Sequence, residues 1–133
     1  MGIRIAAAAC VVTALHASSA GAHHSFAAQY DGEKGVTLTG TVASVEWTNP
    51  HFHFSIDVAD DSGGMTQWRF EGYPPNMLVR QGWKRDETLR PGDTVTVFAW
   101  LARGEANLAA ARHVTFGDGR RLNAGPPAGT GGR

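Results

Sequence analysis

HFHFSIDV, residues 51–58, alternates without a break: Phe52, Phe54, Ile56 and Val58 fall on one face of an extended chain, and His51, His53, Ser55 and Asp57 fall on the other. Successive side chains of a strand point to opposite sides of its sheet, so this period of two marks a strand with one face on a core. Asp60-Asp61-Ser62-Gly63-Gly64 follows as a hairpin loop, and 65–71 returns as a strand with Thr66, Trp68 and Phe70 on one side. Upstream, 37–47 is rich in Thr and Val and reads as a strand until Thr48-Asn49-Pro50 breaks it.

Downstream the period changes. Pro74-Pro75 suits the first turn of a helix, 76–81 carries Met77, Leu78 and Val79, and Gly82 closes it after one or two turns. Leu89-Arg90-Pro91-Gly92-Asp93 turns the chain into a strand over 94–101, with Val95, Val97, Ala99 and Leu101 on one face. A fifth strand covers 108–116, and Gly117-Asp118-Gly119 turns into a short extra strand at 120–122. Three strands, a short helix, then two strands is the order of the five-stranded Greek-key barrel called the OB-fold. The expectation is therefore an all-β domain with one short helix, an OB-like barrel over 37–122. A β-sandwich is the alternative, but that architecture wants about seven strands.

The first 22 residues have the three parts of a cleavable signal peptide. Arg4 is the positive region, Ile5 to Leu15 is apolar apart from Thr13, and Ala20-Gly21-Ala22 offers small residues to a peptidase. The apolar run is about half of what spans a bilayer, which argues against an uncleaved anchor. Cleavage after Ala22 leaves His23 first; cleavage after Ala20 is the alternative. The chain is expected to be periplasmic or secreted, and not an integral membrane protein after processing. Residues 23–36 read as a polar lead-in and 123–133, rich in Gly and Pro, as a disordered tail.

Cys10, the single cysteine, lies inside the signal, so the mature chain offers no disulfide, thiolate zinc site or cysteine nucleophile. The 111 residues from His23 onward fit one domain with one real core. Removing Arg4 with the signal leaves a net charge near −1. That balance gives no electrostatic footprint for a nucleic acid, and none is expected as a partner. The expected partner is a metal ion or small ligand; a protein partner is open.

The candidate metal site begins at the processed terminus. A free α-amine and the imidazole of His23 can chelate one ion, and both deprotonate near neutral pH. His24 adds a second imidazole and a backbone nitrogen. Nitrogen-rich planar sites suit Cu(II), so copper is the candidate cofactor and no other is implied. His51 and His53 stand two apart on one strand face, about 6.5–7 Å along the chain, and such a pair can grip one ion. The plain alternative is two polar residues on a solvated face. Bringing His23 and His24 to His51 or His53 needs the lead-in to fold back over the second strand.

Phe98 and Trp100 alternate out of phase with Val95, Val97 and Ala99, which places an aromatic patch outside the core. It packs under the segment around Phe26, packs under the short helix, or meets a ligand; in the last case it makes a metal-free interaction module for a protein, glycan or small molecule. Arg112 falls among Leu108, Ala110, Val114 and Phe116 and marks a rim, a carboxylate pair or a mistaken phase. His113 shares a face with Ala109, Ala111 and Thr115, away from the other histidines. No nucleophile elbow, H-E-x-x-H, phosphate loop or dinucleotide fingerprint occurs, so no catalytic residue is expected.

His23-His24-Ser25-Phe26, Leu38-Thr39-Gly40-Thr41-Val42 and Glu46-Trp47-Thr48-Asn49-Pro50-His51 resemble a family of small secreted bacterial proteins of unknown function. Gly82-Trp83, 89–93 and Asp118-Gly119-Arg120 fit the same pattern. The resemblance covers nearly all of the mature chain and implies a periplasmic or secreted domain of Gram-negative bacteria. It implies no activity, and His53 and the Gly- and Pro-rich tail lie outside its motifs.

Overall fold

The alternation at 51–58 becomes a strand at the heart of a six-stranded sheet. The structure, a computed structural model, describes residues 26–127. The elements are β1 (Tyr30–Glu46), β2 (His53–Ala59), β3 (Met65–Glu71), α1 (Pro75–Arg80), β4 (Thr94–Ala102), β5 (Leu108–Phe116) and β6 (Arg121–Asn123). Strand order is β3-β2-β1-β4-β5-β6, and β3 also pairs with β5. That last pairing is parallel and joins Arg69, Phe70 and Glu71 to Leu108, Ala109 and Ala110, so the first five strands close a ring in the OB-like order. The remaining pairings are antiparallel.

Phe52, Phe54, Ile56, Phe70, Val95 and Val97 fill the ring and are all but inaccessible to solvent. Burying each stabilises the fold by about 1.5–3 kcal/mol relative to exposure. α1 and the loop after it plug one end with Leu78, Trp83 and Leu89. Trp83 brings a polar atom with its large ring, and its Nε1–H donates to the Asn123 carbonyl at 2.7 Å. Glycine is required at position 40, where a Cβ would strike the Asp57 carbonyl of β2. β1 changes partner there, pairing with β4 from Tyr30 to Thr41 and with β2 from Thr41 to Glu46.

Three expectations change. β1 starts at Tyr30, not at 37, because Tyr30, Gly35 and Val36 pair with Ala102, Trp100 and Ala99 of β4. Exposed Glu33 and Lys34 hide this half in the sequence. β5 does not keep one phase: Phe98 pairs with His113 but Ala99 with Ala111, leaving Arg112 as the extra residue of a bulge. Ala109 and Ala111 thus face the same core as Val114, while Leu108 and Ala110 join a second cluster. Arg112 therefore belonged to no apolar face.

The third change is at the tail, where 123–127 is ordered. Ala124 and Gly125 are buried. The Tyr73 N–H donates to the Ala124 carbonyl at 2.7 Å, and Arg112 Nη1 donates to the Gly125 carbonyl at 3.0 Å. Residues 128–133 and 1–25, which include the signal, His23 and His24, lie outside the described residues. No described helix is long and apolar enough to cross a membrane.

Candidate functional site

A second, smaller cluster lies outside the ring, where Tyr30, Trp100, Leu108 and Ala110 are buried under Phe26 and beside Phe98. Residues 26–29 form a helical turn across it. Arg103 pins that turn: its N–H donates to the Gln29 carbonyl at 2.8 Å, and its Nε donates to the Ala27 carbonyl at 2.9 Å. Its Nη1 also reaches the Asp31 carboxylate at 3.4 Å. On the other side Trp100 Nε1 donates to the Pro126 carbonyl at 3.3 Å. The chain entering the ring and the chain leaving it are thereby held next to the seam where β3 meets β5.

Between them is a cavity of about 420 Å³. Phe26, Tyr73, Met77, Ala110 and Pro126 supply apolar walls, and Tyr30, His51 and Glu71 supply the polar end. A concave, mostly apolar pocket of this size with a few convergent polar groups is the usual form of a small-ligand site.

Glu71, the last residue of β3, ties the polar end together. Tyr30 donates its phenol proton to Glu71 Oε2. His51 Nδ1 lies 3.1 Å from Glu71 Oε1 and 3.1 Å from the Gly72 carbonyl. Both of those oxygens only accept, so Nδ1 carries a proton in either charge state of the ring. Nε2 is then the nitrogen with a free lone pair whenever His51 is neutral. Carboxylate and carbonyl acceptors behind one ring nitrogen orient metal-bound histidines in the same way. Burial first, and then the Glu71 hydrogen bond and charge, holds the Tyr30 phenol well above the ordinary range, so it stays a donor.

The candidates are thus divided. His51 lines the cavity, about half-exposed, with its tautomer set. His53 does not line it; it stands on the outer face in register with Glu46 of β1 and Glu71 of β3. His23 and His24 lie outside the described residues, although Phe26, three residues on from His23, walls the cavity that His51 faces. Among the described residues no three His, Cys, Asp or Glu side chains are placed to hold a metal ion. Any ion at His51 therefore needs donors from elsewhere.

Trp100 is largely buried, and Phe98 is packed edge-on to it with ring centroids 4.9 Å apart. Phe98 also stacks on His113 at 5.3 Å. Burial, followed by the charges of Arg121 and Arg112, lowers the His113 pKa below the usual imidazole range.

Sequence reasoning missed Glu71 and Tyr30. Forty-one residues separate them, and no spacing rule connects a phenol at the start of β1 to a carboxylate at the end of β3.

Residues 10–110 match the model of a family described as a family of unknown function, DUF6152. No curated protein matches the sequence. Solved structures similar in fold include two crystal forms of the mitochondrial single-stranded DNA binding protein Rim1 from S. cerevisiae. Form 1 is 18% identical with a TM-score of 0.48, over 70% of this chain and 97% of that one. Form 2 is 14% identical with a TM-score of 0.47, over 69% of this chain and 96% of that one.

These neighbours correct one expectation. Excluding a nucleic-acid partner from a net charge near zero does not stand, because proteins titled as single-stranded DNA binding are among the structures of similar fold. The physical fault lies in using a sum: binding depends on how charge is distributed over a surface, and a near-neutral total can hide local fields.

Proposed function

Because the chain belongs to DUF6152, a family of unknown function, we propose its role from its own residues: an exported binding protein that holds Cu(II) between its processed N-terminus and His51. The observation that carries this reading is the fixed tautomer of His51. Glu71 and Gly72 occupy Nδ1 and leave Nε2 for a ligand. The second support is distance. Three residues of extended chain span at most about 10 Å, so His23 can return to the cavity that Phe26 already borders.

In this reading the His23 amine and imidazole form the clamp, His24 offers a further nitrogen, and His51 Nε2 closes the set. His53, which does not line the cavity, is an outer-face residue. The role is metal carriage or sensing in the periplasm. It depends on cleavage after Ala22, and the mass of the exported protein fixes that point. A chain beginning at Gly21 would remove the His23 amine from the site.

Copper affinity measured in competition with a chelator tests the part played by His51. The substitution His51→Gln is expected to weaken Cu(II) binding at least about tenfold, the cost of losing one ligand contact of roughly 1.4 kcal/mol. Equal affinity in the two proteins would remove His51 from the site.

A metal-free module remains as the second reading, and the observation that favours it is the cavity itself rather than the packed pair Phe98 and Trp100.

A further inference from the structure

The polar end of the cavity is one-sided. Tyr30 gives its only proton to Glu71, which leaves the phenol oxygen as an acceptor. Glu71 only accepts. His51 has its Nδ1 proton directed at Glu71 and Gly72, and in the neutral ring Nε2 accepts as well. A molecule entering here meets acceptors and one carboxylate charge, between aromatic walls from Phe26 and Tyr73. The nearest opposing cation on β3, Arg69, is paired with Glu105 at 3.2 Å.

We propose that this cavity binds a small organic ammonium ion, an aryl- or alkylamine whose N–H donors meet Glu71 and Tyr30 and whose apolar body lies against Phe26, Tyr73 and Met77. Three features of the site match that class. A protonated amine supplies the donors that all three polar groups lack. Its charge complements Glu71. Its apolar part lies against Phe26, Met77, Ala110 and the ring of Tyr73, and the aromatic faces add cation–π attraction. A carboxylate ligand would face Glu71 across the same space, and a neutral apolar molecule would leave the polar end without partners. The volume of about 420 Å³ accommodates a single-ring amine. The inference needs neither copper nor a free α-amine at His23, so it stands or falls apart from the metal reading.

Calorimetric titration of the exported protein, stripped of metal with EDTA, separates the outcomes. The probes are 2-phenylethylamine, 2-phenylethanol and 3-phenylpropionate, which share a ring and differ in charge. Saturable one-to-one binding of the amine is expected, at least about tenfold tighter than the alcohol, with the carboxylate weakest. Glu71→Gln should bring amine and alcohol within about threefold of each other, since it removes the charge and keeps an acceptor. Met77→Arg provides a second variant on an exposed helix position, and it should weaken the amine while leaving cooperative melting intact. The proposal is overturned if the amine does not bind saturably, if the alcohol equals it in the wild type, or if amine preference survives Met77→Arg.

Discussion

Tyr30 at the first position of β1 hydrogen-bonds to Glu71 at the last position of β3, and this bond joins the chain outside the ring to the seam that closes it. The Tyr30 phenol is buried, and its partner is charged, so the bond is of the stronger kind. Tyr30→Phe keeps the ring packing and removes only the donor. It is expected to cost about 1–3 kcal/mol in urea unfolding. The sign with pH follows from the raised Tyr30 pKa: the folded state keeps the proton, so its contribution is full below about pH 10 and is lost as pH rises beyond that. Wild-type stability should therefore fall more steeply than that of Tyr30→Phe on the alkaline side. Parallel profiles would show that burial and Glu71 do not hold the proton on the phenol.

His113 works in the opposite direction. Its pKa is lowered, so the folded state favours the neutral ring, and its contribution is full above about pH 6.5. As pH falls below that value the unfolded chain takes up the proton first and stability drops. In His113→Gln this component is absent. Unfolding curves at pH 7.5 and 5.5 should show the wild type losing its advantage over the variant on acidification.

Gly125 lies against β5 so closely that a Cβ would strike the Ala111 carbonyl. Gly125→Ala must lift the segment that carries Pro126 away from Trp100. The expected cost is about 1–3 kcal/mol, typical of forced overpacking. Amide exchange should speed up at 124–126 before it does in β2 and β3. Unchanged exchange at 124–126 would show that the exit segment is not docked.

Trp83 plugs the ring and spends its indole N–H on Asn123. Trp83→Ala should cost about 3–5 kcal/mol. Trp83→Phe retains most of the packing and isolates the hydrogen bond to the Asn123 carbonyl, at about 1–2 kcal/mol. Denaturant midpoints of the two variants check the order.

The bounds of β3 and β5 were legible to the residue, because Gly, Pro and Asp turns mark their ends, and the interior face of β3 repeats every second position through Thr66, Trp68 and Phe70. β2 was legible through Phe52, Phe54 and Ile56, and the short helix through its flanking prolines and Gly82. The front half of β1 was not, since Glu33 and Lys34 lie on exposed strand that carries no alternation. The bulge at Arg112 was hidden because one added residue reverses the phase, and a period of two has no means of announcing it. At the site, the closeness of His51 to Glu71 could have been worked out. A hairpin that pairs Ala59 with Met65 puts His53 opposite Glu71, and His51 is then one step further along the same face. The Tyr30 bond and the cavity arise from the β3–β5 closure, which joins segments far apart in the chain.

The copper reading is tested most directly by electron paramagnetic resonance of the exported protein with one equivalent of Cu(II). The expected result is one nitrogen-rich tetragonal spectrum that changes when a single residue is added ahead of His23, and changes again in His51→Gln. An identical spectrum from all three proteins would contradict it, since neither the α-amine nor His51 could then be a ligand.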